Sequence, residues 1–142
     1  MEELVELPWI KIAEAELGVH EIPGKGNSER VLSYHAVTRL HATEDKIPWC
    51  ASFVSYCLEK SGVRSTKSAR ALSYEHYGRR LAEPIVGCIA VLKRTGGGHV
   101  GFYVGKNLDG KIRLLGGNQS DSVCYANYSP DKVVAYVMPT GY

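Results

Sequence analysis

The hydrophobic pattern of this chain changes at Pro84, and that change constrains the fold more than any other feature. Before Pro84, apolar residues recur at the spacing of helices. After it, short runs rich in β-branched and aromatic residues are separated by turn residues, a pattern typical of strands: IVGCIAVLK, HVGFYVG, KIRLLGG, SVCYANY and KVVAYVM. The sequence therefore predicts an α+β fold, in which N-terminal helices pack on a C-terminal antiparallel sheet of about five strands.

Size and composition predict one soluble globular domain over residues 1–142, because 142 residues fit a single domain and 44% hydrophobic with 23% charged residues is ordinary. The segment MEELVELPWIKIAEAELG has neither the basic region nor the long apolar region of a secretory signal. No run approaches the about 18 apolar residues of a membrane span. We therefore expect a monomer that is made in the cytoplasm without a signal peptide and does not insert into membranes.

A cysteine opens the predicted helix in PWCASFVSYCLEKSG. Pro48 precedes this helix, Gly62 follows it, and its apolar residues form one stripe: Phe53, Val54, Cys57 and Leu58. Because free backbone N–H groups and the helix dipole favour an anion at a helix start, Cys50 is predicted to form a thiolate nucleophile. The alternative is a small buried hydrophobe, which is our interpretation of Cys57.

A histidine follows in the second predicted strand, GGGHVGFYVG, as His99. The turn signal Asn107–Gly110 predicts a hairpin, and a centre between Leu108 and Asp109 places His99 opposite Asn118. An amide oxygen there would accept a hydrogen bond from one ring nitrogen and aim the other at a thiol. The alternative is that Asn118 is an ordinary strand-end or turn residue. Two glycines just before it, in LLGGNQ, indicate a close approach of backbone or ligand.

In this order, the helix-start cysteine, the GHVGFYVG strand and the LLGGNQ strand resemble the papain-like NlpC-type and CHAP cysteine peptidases and amidases. The likeness is greatest to a short branch found in phages and prophages, and it extends from LPWIKIAEAELG to the final strand. It implies a papain-like fold in which Cys50 is the nucleophile, His99 the general base and Asn118 the residue that orients the imidazole. It also implies four substrate-binding residues along the cleft: Glu21, Asn27, Trp49 and Gln119.

Three points qualify the site that the resemblance implies. Trp49 has core packing as its alternative, since buried tryptophans are common. Many CHAP members carry an acidic residue where Gly116 stands, so the orienting role passes to Asn118. Cys88 stands where related sequences often have an aspartate, and neither Cys88 nor Cys124 receives a role from the sequence.

The implied reaction is hydrolysis of an amide bond in the peptide part of peptidoglycan through a thioester. We favour an endopeptidase over an N-acetylmuramoyl-L-alanine amidase. An acyl or amide transferase on the same scaffold and a non-catalytic wall-binding module are the alternatives. Without a signal, the enzyme would act at the cell wall or periplasm after phage-type lysis, with a holin as partner, or as a delivered antibacterial effector, with an immunity protein.

Charge and cysteine spacing exclude other classes of function. A net charge of +2 is compatible with an anionic polymer, but no nucleic-acid motif is present, and the basic residues are expected on a solvated surface: Arg64, Lys67, Arg70, Arg79 and Arg80. Four cysteines without CxxC spacing argue against a disulfide framework and a zinc knuckle; a Cys50 and His99 metal pair is an alternative that lacks ligand spacing, and no metal or cofactor is expected. Surface or capping roles are expected for the remaining histidines: His20, His35, His41 and His76.

Overall fold

The computed structural model describes residues 7–22, 26–40, 48–94 and 97–142. Within these ranges the chain forms three α-helices, six strands and two short 3-10 helices. The α-helices are α1 (Pro8–Ala15), α2 (Glu29–His35) and α3 (Cys50–Lys60), and the 3-10 helices are Ala71–Tyr74 and Pro130–Lys132. The strands are β1 (Arg79–Leu81), β2 (Ile89–Arg94), β3 (Gly97–Lys106), β4 (Ile112–Gln119), β5 (Ser122–Tyr128) and β6 (Val133–Met138). The predicted α+β fold, with helices before strands, is confirmed.

The strands of the described residues form one antiparallel sheet in the order β1-β6-β2-β3-β4-β5. The five predicted strands correspond to β2 through β6. The sixth, β1, is a three-residue edge strand, Arg79–Leu81, that pairs with β6. Two of its three residues are exposed arginines, so it has no apolar alternation by which the sequence could have predicted it.

The hairpin between β3 and β4 forms at the predicted turn, where the Gly110 N–H donates to the Asn107 carbonyl over 3.0 Å. Phe102 pairs with Leu115 in the predicted register, and the register shifts by one residue between Tyr103 and the turn. The hairpin therefore carries the histidine strand next to the LLGGNQ strand, as the sequence predicts.

Helix α3 lies at the centre of the molecule and contacts α1, α2, β3 and β4. Residues 50 through 58 are all buried, so the helix is covered on every side and the apolar stripe in the sequence marks only part of its contact surface. The Tyr34 ring of α2 packs against the rings of Phe53 and Tyr56, with centroids 5.2 and 4.9 Å apart. Among the described residues, no helix combines the length and apolar character that crossing a membrane requires.

The prediction of a surface or capping role is wrong for His35. Its side chain, in the last turn of α2, is fully buried, and its Nδ1 lies 2.7 Å from the Ser52 hydroxyl of α3. This hydrogen bond satisfies both polar groups in the interface between the two helices. The contact joins residues 17 positions apart, so local sequence spacing does not reveal it.

Candidate active site

Cys50 is the first residue of α3 and retains 5% of its accessible surface. The first turn of a helix presents unpaired N–H groups and the positive end of the dipole, which together favour a thiolate. Cys57 on the same helix contrasts with it: the residue is fully buried, and burial, with a smaller contribution from Glu16, raises the pKa of its thiol well above the usual value. Burial likewise raises the pKa of Cys88 to about 11. Cys57 and Cys88 are therefore core thiols.

His99 lies on β3 and retains 1% of its accessible surface. Its Nε2 is 2.9 Å from the Gln119 Oε1 and 3.2 Å from the Tyr128 hydroxyl. The Tyr128 hydroxyl also donates to the Gln119 Oε1 over 3.1 Å, and its ring lies 5.1 Å from the imidazole with a tilt of 32°. We call His99, Gln119 and Tyr128 the sheet cluster. Its three members meet at the Oε1 atom of one amide.

The orientation of the Gln119 amide is fixed by its other end. The Gln119 Nε2 donates to the backbone carbonyl of Cys124 over 2.7 Å and to that of Leu114 over 3.3 Å. Because carbonyl oxygens only accept hydrogen bonds, the NH2 group must face them, and Oε1 must face His99. Oε1 then accepts the hydrogen on His99 Nε2. In the neutral imidazole this leaves Nδ1, which is also buried, as the nitrogen that can take a proton.

The backbone of β4 explains how Gln119 reaches the imidazole. Pairing with β5 shifts between Gly116 and Gln119, and Asn118, inside this irregularity, has a φ of 57°. Such a bulge turns the following side chain toward a new direction. A Cβ atom built on Gly116 would lie 2.7 Å from the Gln119 Oε1. The glycine thus provides the space into which the Gln119 side chain folds.

The end of β4 also packs closely against the start of α3. A Cβ atom on Gly117 would lie 2.7 Å from the side chains of both Trp49 and Phe53, the residues on either side of the first turn of the helix. Cys50 belongs to that turn, and Gln119 follows Gly117 by two residues. The sequence predicted a close approach of backbone or ligand at these glycines, and the neighbours in the structure are side chains. Their packing brings the start of α3, with Cys50, against the end of β4, whose Gln119 bonds His99.

The β4 side chain that bonds the His99 Nε2 is Gln119, one position beyond the predicted Asn118. The side chain expected to bind substrate therefore occupies the orienting position, and it retains only 4% of its accessible surface. Asn118 itself is half-buried and supplies the left-handed backbone conformation that turns the chain. The physical reason for the difference is the bulge, because shifting a strand by one residue exchanges the faces of its side chains.

Trp49 is fully buried, so it has the core position that the sequence left open as its alternative to a groove wall. Its indole Nε1 donates to the Glu21 Oε1 over 2.9 Å. The Glu21 N–H in turn donates to the Asp121 carbonyl over 2.9 Å, in the turn between β4 and β5. Glu21 is half-buried at the same end of the molecule as the sheet cluster, and Asn27 is half-buried just before α2.

Tyr128 is the member of the sheet cluster that sequence reasoning missed. It lies on β5 at an even spacing from Cys124, and Cys124 pairs with Gly116. Because side chains alternate along a strand, Tyr128 shares the face of the sheet on which Gly116 leaves space. Strand alternation could have placed the tyrosine on that face, but no motif pointed to it.

One known family matches the part of the chain that contains Cys50 and His99. A family model described as the CHAP domain matches residues 42–118, which is more than half of the chain and includes Cys50 and His99. Gln119 and Tyr128 lie just beyond the matched residues. The chain matches none of the curated proteins with which it was compared. It belongs to the CHAP domain family, whose members are typically hydrolases or amidases that act on peptidoglycan.

Proposed function

We propose that this domain hydrolyses an amide bond in the peptide part of bacterial peptidoglycan, with Cys50 as nucleophile and His99 as general base. One contact carries this function: Gln119, held by two backbone carbonyls, accepts from the His99 Nε2 and leaves Nδ1 to take a proton. A base with a fixed tautomer and a thiol at a helix start are the two groups that acyl transfer requires, and the packing of Gly117 against Trp49 and Phe53 supports their pairing.

The chemistry proceeds in two halves. The His99 Nδ1 takes the proton of the Cys50 thiol, and the sulfur attacks the scissile carbonyl carbon to form a C–S bond and an oxyanion. The Cys50 backbone N–H, at the start of α3, is a donor for that oxyanion, and one such donor is worth about 3 kcal/mol. The imidazolium then protonates the amine as the C–N bond breaks, leaving a thioester. In the second half, His99 takes a proton from water as the water oxygen forms a C–O bond to the thioester carbon. The C–S bond then breaks, the sulfur takes the proton back from the imidazolium, and the acid product leaves as a carboxylate after losing its proton to solvent.

The bond cut in this proposal belongs to the stem or cross-link peptide, so the enzyme is an endopeptidase. It reaches the wall either as a phage-type lysin, released with the help of a holin, or as an effector delivered to a competitor and neutralised at home by an immunity protein. Both routes act on the same polymer, and the net charge of +2 is compatible with an anionic wall.

Digestion of purified sacculi of known cross-link type, followed by mass spectrometry of the products, tests the proposal. New free amino termini within the stem or cross-link are the expected result. A stem released intact from muramic acid would replace the endopeptidase with an amidase, and a mass gain on an added amine would replace hydrolysis with transfer. Wild-type protein that binds sacculi and releases nothing would contradict catalysis and favour a wall-binding module.

A further inference from the structure

Gly116 and Gln119 share one small volume. A Cβ atom at Gly116 would lie 2.7 Å from the Gln119 Oε1 and 3.1 Å from its Cδ, closer than packed side chains allow. The φ angle of Gly116 is not in the left-handed region, so its backbone conformation is open to any residue. The presence of glycine at this position is therefore explained by the amide beside it and not by the course of the chain.

The amide that fills this volume is more constrained than a substrate-binding group would be. Gln119 is 4% exposed, and both ends of its amide have partners: two backbone carbonyls for the nitrogen, and His99 and Tyr128 for the oxygen. Such a side chain cannot turn toward a substrate without leaving buried groups unsatisfied, at a cost of about 1–3 kcal/mol each. The Gln119 oxygen therefore serves to bond the imidazole of His99 and not a substrate.

We propose that Gln119 is the positioning residue of His99, that Gly116 is its required companion, and that together they orient the imidazole through a neutral oxygen that stabilises the charged ring less than a carboxylate would. The inference rests on the proposed function for its activity measurements. A carboxylate in the same place would attract the imidazolium, because an opposite charge at hydrogen-bond distance favours protonation. An amide oxygen fixes the tautomer with a weaker preference for the charged ring.

The geometry allows the oxygen that accepts from His99 to be supplied by residue 116 in place of residue 119. An aspartate at position 116 carries its carboxylate oxygens about as far from Cβ as the Gln119 Oε1 now lies from the Cβ position of Gly116. Gly116→Asp combined with Gln119→Ala would therefore return an acceptor oxygen to the His99 Nε2, this time with a negative charge. Gly116→Asp alone would place two side chains in the same volume.

Two readouts separate this inference from the proposed function. The first is turnover on sacculi as a function of pH. The second is the rate at which iodoacetamide alkylates Cys50 as a function of pH, with the labelled cysteine located by peptide mass spectrometry. Alkylation needs no peptidoglycan. If wild-type protein left sacculi intact while Cys50 alkylation still depended on Gln119, the proposed function would fail and the inference would stand.

We expect Gln119→Ala to lower turnover at least 10-fold and to slow Cys50 alkylation at neutral pH. The double variant Gly116→Asp with Gln119→Ala should regain most of the wild-type turnover and most of the alkylation rate. On the acidic side of its pH profile, turnover should fall to half its maximum at a pH about one unit above that of the wild type. Gly116→Asp alone should be less active than the double variant. Gln119→Met, which keeps the length of the side chain without its hydrogen bonds, should match Gln119→Ala and controls for loss of packing.

Full activity in both Gln119→Ala and Gln119→Met would overturn the positioning role. A double variant no more active than Gln119→Ala would overturn the pairing of the two positions. A double variant that recovers turnover, but whose turnover falls on the acidic side at the same pH as that of the wild type, would overturn the role of the neutral oxygen. Circular dichroism of each variant, compared with the wild type, establishes that the altered rates are measured on folded protein.

Discussion

Two polar clusters in this molecule use similar hydrogen bonds for different purposes. In the sheet cluster, a tyrosine hydroxyl and an imidazole converge on the Gln119 oxygen. In the cluster between helices, which we call the helix cluster, the Tyr34 hydroxyl and the Arg30 guanidinium converge on the Glu16 carboxylate, at 2.8 and 2.7 Å. The helix cluster contains a formal ion pair, whereas the sheet cluster contains a neutral amide and a titratable ring.

The contrast shows what each cluster can do at neutral pH. Burial by itself would raise the pKa of Glu16, but the hydrogen bonds from Arg30 and Tyr34 outweigh it and the pKa is lowered. The carboxylate therefore stays charged and paired, and it holds α1 and α2 together. In the sheet cluster the oxygen that orients the imidazole belongs to a neutral amide, so the ring is held in place without a carboxylate among the three members of the cluster. We therefore expect substitutions in the helix cluster to lower the free energy of unfolding, and substitutions in the sheet cluster to lower turnover.

The largest effect is expected where the chemistry itself is removed. Cys50→Ala and His99→Ala should each lower turnover on sacculi by at least about 10³-fold, because nucleophile and base act as one unit. Cys57→Ala, the matched control on the same helix, should keep its turnover and lose about 1–2 kcal/mol of unfolding free energy. Sacculus digestion together with urea denaturation checks this. Lysis that survives in folded Cys50→Ala would show that another group is the nucleophile.

The second effect concerns the helix cluster. Glu16→Gln keeps the shape of the side chain and removes the charge that Arg30 and Tyr34 stabilise, so we expect a loss of about 2 kcal/mol in unfolding free energy with turnover unchanged. The value lies toward the low end for a charged hydrogen bond, because the Arg30 side chain is 51% exposed. Urea denaturation and sacculus turnover measure the two quantities. A large loss of turnover in a stable variant would show that the two clusters are coupled.

Removal of one hydroxyl from each cluster compares them under the same substitution. Tyr34→Phe should cost about 1–2 kcal/mol of stability and leave turnover unchanged, since it deprives a buried carboxylate of one donor. Tyr128→Phe should lower turnover a few-fold with little change in stability, because the hydroxyl contacts to His99 and Gln119 are lost while the Gln119 Oε1 still accepts from the His99 Nε2. Equal effects of the two substitutions on both stability and turnover would remove the distinction between the clusters.

The smallest effect is the pH dependence of stability that Glu16 contributes. Its pKa is lower in the folded protein than in the unfolded chain, so its stabilisation is present above the unfolded pKa and is lost as pH falls through the folded pKa. The stability difference between wild type and Glu16→Gln should therefore be constant from about pH 7 to pH 5 and narrow below that range. A difference that stayed constant down to pH 3 would contradict the assigned charge of Glu16.

The parts of the fold that follow from periodicity were predictable, and the parts that follow from one backbone angle were not. Five strands and the hairpin could be predicted because alternation and turn residues are local signals. The identity of the residue bonded to His99 depends on the left-handed conformation of Asn118, which moves the next side chain to the imidazole. Sequence spacing thus led to the correct strand end and to the neighbour of the bonded residue. The burial of His35 depends on Ser52 of another helix, which no local pattern contains.

The proposed role of Cys50 is tested most directly by looking for the covalent intermediate. Wild-type protein is mixed in excess with a soluble peptidoglycan peptide, quenched in acid within one turnover, and digested for mass spectrometry. The account predicts an acyl group of the substrate on the peptide that contains Cys50, formed in wild type and absent in Cys50→Ala. Cleavage that proceeds in wild type with the acyl group on a different residue, or with none at any quench time, would contradict it.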